Sequence, residues 1–545
     1  MGQPRQHGQW WVGALVAGVI GGLGDGLAAT RHLLLAPDGT RDLALVVVSV
    51  VVGSLVALIA GMLLPLGARM LGRDWPPGRW TGFVCGAAAW AAVCVAAILP
   101  GWWAAAGLLV LGVAPLVVHR DTGRPRMVVA LGFLALLAVR VADDRRPRDR
   151  EAAPTSPGPD VVIVVVDGLR GDQVDRLPRG DLPAMPNLTE LAATGTRFTQ
   201  VTTPTSTGAG AQQAAIAGLA PWTSVPEHGW ARELRGLGWR SGIFGGPEVR
   251  GVAHEAGFMV QDVDPGWLAG ASAGAPGNLW LRLADVRGAR RSGRRVVDAW
   301  SRWLDDLPAQ RPAVSVLHFT DLVWPTRPTP PWDTAFQRPP AELGSDASAV
   351  GACATEAERE GLRTRADVRT AYDGAAAAVD ALMPEVFARA SARPRGAMVF
   401  VMGSRGTPMG ESGRWLASTG GTHPAELTVP LVVVGTDVPE GSTLGAPVST
   451  VDVVATVRAR TGLAAVEGAR PIPGLVRGYP PRAVALSVGA DGAVVATSAD
   501  ALRRRTADGQ VTRFEEGQWT PQDAGPDSPV PVLPPVAADP AVCGG

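Results

Sequence analysis

Lysine is absent from this chain of 545 residues: all 50 basic residues are arginine, and 50 aspartates and glutamates balance them. A net charge of zero provides no global field to gather nucleic acid or an anionic surface, so nucleic-acid binding is not expected. The missing lysine, beside abundant Ala, Gly and Pro, reads as a compositional bias and implies no site chemistry. Cysteine is also scarce, with four in all, and no pair has a metal-ligand spacing. Cys85 and Cys94 fall inside an apolar run, where they pack as small hydrophobes. Cys353 and Cys543 come much later, and an oxidising compartment would permit a bridge between them. No internal repeat is present.

What the chain does have is long apolar runs, all near its start. They occupy Trp10 to Ala29, Leu43 to Leu66, Phe83 to Leu99, Trp102 to Val118 and Met127 to Val141. These lengths predict a transmembrane bundle of about five spans over residues 1–141, with the lipid bilayer as first partner. Arg69, Arg73 and Arg79 fall between the second and third runs, and Arg120, Arg124 and Arg126 between the fourth and fifth. By the positive-inside rule both loops are cytoplasmic, which puts the later domain outside a plasma membrane. Arg145, Arg146, Arg148 and Arg150 run against that rule, offset in part by Asp143, Asp144 and Asp149. Asp25, the carboxylate inside the first run, lies near its expected outer end, where a hydrated interfacial role suffices.

Residues 142–159, rich in Arg, Asp and Pro, read as a linker. From 160 the pattern changes. Val161 to Val166 is an unbroken β-branched run, the signature of a strand buried on both faces of a parallel sheet. Further strands are predicted at Gly242 to Phe244, Ala313 to Phe319, Ala397 to Met402 and Leu431 to Val434. Helical stretches such as Arg294 to Leu307 and Val368 to Ala390 separate them. The expected fold is therefore α/β over 160–480, a mostly parallel sheet with helices on both faces. Short runs at Ala483 to Val488, Ala493 to Thr497 and Gln510 to Phe514 predict a small antiparallel appendage over 481–519. The Pro-rich 520–545 reads as a disordered tail.

Several segments of this domain follow one another in order: the Asp160 to Arg170 stretch DVVIVVVDGLR, then Met185 to Leu188, Gly195 to Thr199, Gly218-Leu219, Leu234 to Gly246, Leu317 to Asp321 before Trp324-Pro325, Val429 to Leu431, and the Asp452 segment. Together they resemble the sulfatase family of the alkaline phosphatase superfamily, which includes membrane-anchored phosphoglycerol and phosphoethanolamine transferases. The resemblance implies hydrolysis or transfer of a sulfate or phosphate ester, with a nucleophile activated by a divalent ion, whether Ca, Mg, Mn or Zn. It makes Asp167 a metal ligand, although an aspartate before Gly168 also suits a plain turn. The nucleophile falls within Thr205, Ser206 and Thr207. Thr207 matches the threonine of pyrophosphatase and transferase relatives, while sulfatase spacing counted from Phe198 lands on Gly208. With no cysteine there, a formylglycine route is closed. Thr207 also suits a helix N-cap.

Two departures from the family's pattern stand out. Ser404 and Arg405 replace its Asp-His or Asp-Asn pair, and Val323 replaces a histidine. A serine is a poor ligand for a divalent ion, and an arginine, always protonated, cannot be one. Arg405 instead either pairs with Asp167, holds an anion, or sits solvated at the surface. His423, before Val429-Pro430, is a further candidate substrate or metal contact, or a structural histidine. Two functions remain open on this reading: an extracytoplasmic esterase or transferase acting on an envelope component, or a pseudoenzyme of the same fold. The second would bind an anionic envelope glycan or lipid headgroup without turnover.

Overall fold

The computed structural model describes residues 158–263, 291–338, 364–522 and 530–536, apart from positions 325, 327, 329, 412–414, 417–419, 465 and 535. The five apolar runs, most of the linker, Cys353 and Cys543 lie outside the described residues. Among the described residues no helix is long and apolar enough to cross a membrane. All of them belong to one compact unit, 152–263 with 290–545.

The strands in chain order are β1 (Asp160–Gly168), β2 (Thr196–Phe198), β3 (Val201–Thr202), β4 (Arg240–Phe244), β5 (Val260–Asp262), β6 (Ala313–Phe319), β7 (Ala397–Gly406), β8 (Leu431–Gly435), β9 (Ser442–Leu444) and β10 (Val448–Ser449). Eight of them form one sheet in the order β5-β4-β6-β1-β7-β8-β2-β9. The pairs β5–β4, β4–β6, β6–β1, β1–β7 and β2–β9 are parallel, whereas β8 runs antiparallel to both β7 and β2. The sheet is thus mostly parallel, as expected, with β8 alone reversed and β1 inside the parallel part. β3 and β10 make a separate parallel pair.

Every residue of β1 is buried, which explains its continuous apolar run, because parallel strands on both sides leave neither face to solvent. Alternate side chains enter two cores. Val162, Val164 and Val166 meet Trp300, Tyr372, Val399 and Val401 on one face. Val161, Ile163 and Val165 meet Ile243, Val316, Met398, Phe400 and Met402 on the other.

Helices α1 (Pro186–Thr194), α2 (Gly208–Gln212), α3 (Trp230–Gly236), α4 (Arg250–Ala256), α5 (Gly293–Asp305), α6 (Arg365–Asp380), α7 (Met383–Ser391), α8 (Pro424–Leu427) and α9 (Val451–Arg460) follow the same chain order. Leu188 of α1 and apolar side chains of α5, α6 and α7 fill the first core; those of α3, α4 and α9 fill the second. The helix expected over Val368 to Ala390 is two. It breaks at Ala381-Leu382, and Pro384 sits in the first turn of α7, where its missing N–H costs nothing. α6 starts with a reciprocal capping box between Thr364 and Asp367.

Beyond 480 the appendage is a five-stranded antiparallel meander: β11 (Ala485–Val488), β12 (Val494–Thr497), β13 (Leu502–Arg505), β14 (Val511–Glu515) and β15 (Gln518–Pro521). β13 and β15 are additional to the three strands expected. In the stretch read as a tail, Val530 is fully buried against Val488, Val494 and Ala496.

One glycine in β7 constrains the site. A Cβ on Gly403 would lie 2.5 Å from the Leu169 carbonyl oxygen and 3.0 Å from Val429 Cβ. Gly403→Ala is therefore expected to cost about 1–3 kcal/mol by overpacking, read as a lowered midpoint in denaturation; an unchanged midpoint would show that β7 yields there.

Candidate functional site

The site grows out of strand periodicity. Asp167 continues the Val161, Ile163, Val165 series, His318 continues Val314 and Val316, and Ser404 continues Met398, Phe400 and Met402. Three apolar columns of one sheet face thus end in polar side chains at the carboxyl edge, where α/β sheets place their ligands.

A register shift then decides which groups meet. Val166 pairs with Gly403 but Gly168 pairs with Gly406, so two residues of β7, Ser404 and Arg405, lie opposite the single Asp167. This is the geometry of a β-bulge, which re-aims side chains at the end of a strand. As a result both touch the carboxylate: Ser404 Oγ and Arg405 Nε each donate to Asp167 Oδ1 at 2.9 Å. Gln212 Nε2 of α2 approaches Oδ2 at 3.4 Å. Side-chain exposure is 13% for Arg405 and 4% for Asp167. Burial alone would raise the Asp167 pKa. Burial is the largest single influence, but the Arg405 charge, His318 and the hydrogen bonds from Arg405 and Ser404 together outweigh it and hold the carboxyl at about 2.

Arg405 also reaches the hydroxyl-rich turn, donating from Nη1 to the Ser206 carbonyl at 3.3 Å. Asp167 and the 205–207 turn are thus joined through one guanidinium. Thr203, Thr205, Ser206 and Thr207 are all buried. Ser206 Oγ donates to the Gly421 carbonyl at 2.7 Å, and Thr205 Oγ1 accepts the Thr207 N–H at 3.3 Å. Thr207 holds the N-cap position of α2 with extended backbone, but its hydroxyl makes no capping bond; it lies 3.4 Å from Thr205 Oγ1. Gly420 closes over it, since a Cβ there would sit 3.1 Å from Thr207 Cγ2 and 2.7 Å from Ala490 Cβ.

Sequence reasoning singled out neither His318 nor Glu248. His318 is 0% exposed, and among the described residues neither ring nitrogen has a hydrogen-bond partner; Nδ1 lies 3.4 Å from Glu248 Oε1. The readable signal was a histidine in phase with Val314 and Val316 near the end of a buried strand. Gly245 allows the approach, as a Cβ there would lie 3.1 Å from His318 Cβ.

The structure does not bring His423 to this group. His423 caps α8, its Nδ1 accepting the Ala425 N–H at 3.1 Å, and its ring meets Phe514 edge-on at 5.3 Å. Burial lowers its pKa, with the Arg170 and Arg504 charges adding and Glu411 opposing. Asp321 accepts the Gly293 N–H and so caps α5, and Asp452 accepts from Ser449, Arg470 and Arg482. Behind the site, Tyr372 donates to the Gly168 carbonyl at 2.7 Å and accepts the Arg170 N–H at 3.0 Å, fixing the turn after Asp167.

The donor set does not suit a divalent ion. Asp167 Oδ1 is already shared by a hydroxyl and a guanidinium, and that fixed cation repels another at contact distance. Hard ions need several converging oxygens, and among the described residues no group of three or more His, Cys, Asp or Glu could hold a metal. Asp167, expected as a metal ligand, is paired with Arg405 in this structure.

A sulfatase family model matches residues 257–463. Among curated proteins nothing matches. Similar solved structures include phosphonate monoester hydrolases of Agrobacterium radiobacter, at 16% identity and TM-score 0.48, and of Silicibacter pomeroyi, at 15% and 0.49. Each similarity covers 66% of this chain and 89% of the other. The soluble domain of lipooligosaccharide phosphoethanolamine transferase A from Neisseria meningitidis is similar at 15% identity and TM-score 0.41, over 61% of this chain and 96% of that one.

Proposed function

From the premise that the chain is sulfatase-like, on the match over residues 257–463, we propose a membrane-anchored pseudoenzyme that holds an anionic envelope component outside the cytoplasm without cleaving it. One observation carries this reading: the Arg405 guanidinium bound to Asp167 at 2.9 Å. A protonated arginine there fills the place of the ion that would polarise the ester and activate a hydroxyl. Among the described residues Thr207 has no histidine or carboxylate in hydrogen-bond contact to take its proton, and a threonine hydroxyl without a base or metal is a weak nucleophile. The anchor is supported by the five apolar runs and the arginines between them.

The test is turnover of aryl sulfate and aryl phosphate esters by the purified full chain, beside elemental analysis for bound metal. The expected result is no rate above buffer and no stoichiometric metal, identical in Thr207→Ala. A rate that disappears in Thr207→Ala would establish the esterase instead.

A further inference from the structure

One face of the meander's outer strands carries Arg504, Phe514 and Trp519. The pairings Arg504 with Thr512 and Phe514 with Trp519 put these side chains on a common side, given the two-residue alternation of strands. The Arg504 guanidinium carbon lies 4.7 Å from the centre of the Trp519 ring. Trp519 meets Phe514 at 5.2 Å, and Phe514 meets His423 at 5.3 Å. The result is a row of guanidinium, indole, phenyl and imidazole, all half-buried, running from the meander onto the cap of α8.

Arg504 differs from Arg505 and Arg513 in how its charge is answered. Arg513 pairs with Glu515 and Arg505 donates to the Val530 carbonyl. Among the described residues no carboxylate pairs with Arg504, and its Nε is buried with no hydrogen-bond partner. Burial lowers its pKa, opposed by Asp491. A buried donor left unmatched is costly, and a charged one more so, unless something else accepts from it.

We propose that Arg504, Trp519, Phe514 and His423 form a binding platform for an anionic sugar, a pyranose bearing a carboxylate, sulfate or phosphate. Aromatic faces receive the apolar side of the ring, while the planar guanidinium, held by the indole, takes the anion through paired N–H bonds. Its planarity selects a planar or tetrahedral oxyanion over a simple point charge. The inference rests on the pseudoenzyme reading in one respect, that the ligand is held and not cleaved.

The experiment is isothermal titration of the full chain in detergent micelles with tetrasaccharides carrying one carboxylate, sulfate or phosphate. Uncharged maltotetraose and short-chain phosphatidylglycerol serve as the other arms. At least one charged tetrasaccharide is expected to bind, with maltotetraose and the lipid at least tenfold weaker. Arg504→Gln is expected to weaken binding about tenfold or more, and Trp519→Leu likewise, at unchanged circular dichroism. Arg513→Gln, on the other side of the same strand pair, is expected to bind as wild type. Equal affinity in Arg504→Gln, preference for the lipid, or no binding by any charged tetrasaccharide overturns the site. Cleavage of the sulfated or phosphorylated probe by the wild type, with Arg504-dependent binding kept, would remove the pseudoenzyme reading and leave the platform standing.

Discussion

Arg405→Ala is expected to destabilise the α/β domain by about 3–5 kcal/mol, the range for removing one partner of a buried ion pair. Asp167 would keep its burial and its bond from Ser404 but lose the charge that offsets desolvation. The pH dependence gives the sharper readout. In the wild type the folded carboxyl titrates at about 2, below the ordinary value near 3.9. The pair's contribution is therefore fully present above the ordinary carboxylate range, and it is lost as pH falls towards 2. In Arg405→Ala, burial, the largest influence on Asp167, is opposed by His318 and the Ser404 bond without the Arg405 charge, and is expected to raise the carboxyl. Stability is then lost as pH rises, the opposite slope. Adding Asp167→Asn to Arg405→Ala is expected to recover much of the loss, because the stranded charge disappears with it. Guanidinium denaturation between pH 2 and 8 compares the wild type with both variants. A loss under about 1 kcal/mol, the scale of an exposed pair, would mean that Arg405 is solvated and the centre is not closed by it.

Much of the scaffold was legible because its signals are local. The β-branched run of β1 announced a strand buried on both faces, and α5 was bounded to within two residues by its apolar periodicity. Where polar residues make the strand, the signal fails: β13 reads Leu-Arg-Arg-Arg and looks like a loop until β12 and β14 pair with it. The break between α6 and α7 hides in Ala-rich sequence, with Pro384 its single mark. At the site, the replacement of the family's pair by Ser404 and Arg405 was visible, and the pairing of Arg405 with Asp167 was one of three roles left open. That both residues face Asp167 depends on one extra residue in β7 relative to β1, a property of pairing that no spacing within either strand contains. His423 lies apart from Asp167 for a related reason. A histidine beside a conspicuous Val-Pro-Leu strand suggested the strand ends, whereas its ring nitrogen is taken by the turn it caps.

The same bulge makes a constructive experiment available. Ser404→Asp with Arg405→Asn would place two oxygen-bearing side chains opposite Asp167 and remove the cation, restoring the hard donors that a divalent ion requires. The wild type is expected to melt identically with and without a chelator. The double variant is expected to be less stable than wild type in chelator, since carboxylates brought together in a buried site repel. Added divalent ion should then raise its stability by about 2.7 kcal/mol at a hundredfold excess over the dissociation constant. Ser404→Asp alone, with Arg405 retained, should gain an ion pair and no metal response, which separates added charge from a vacated coordination position. If the wild type itself lost stability in chelator, the pairing of Arg405 with Asp167 would not be the resting state. If the double variant ignored every ion tried, more than this pair would have been lost, and the absent histidine at Val323 would be the next position to restore.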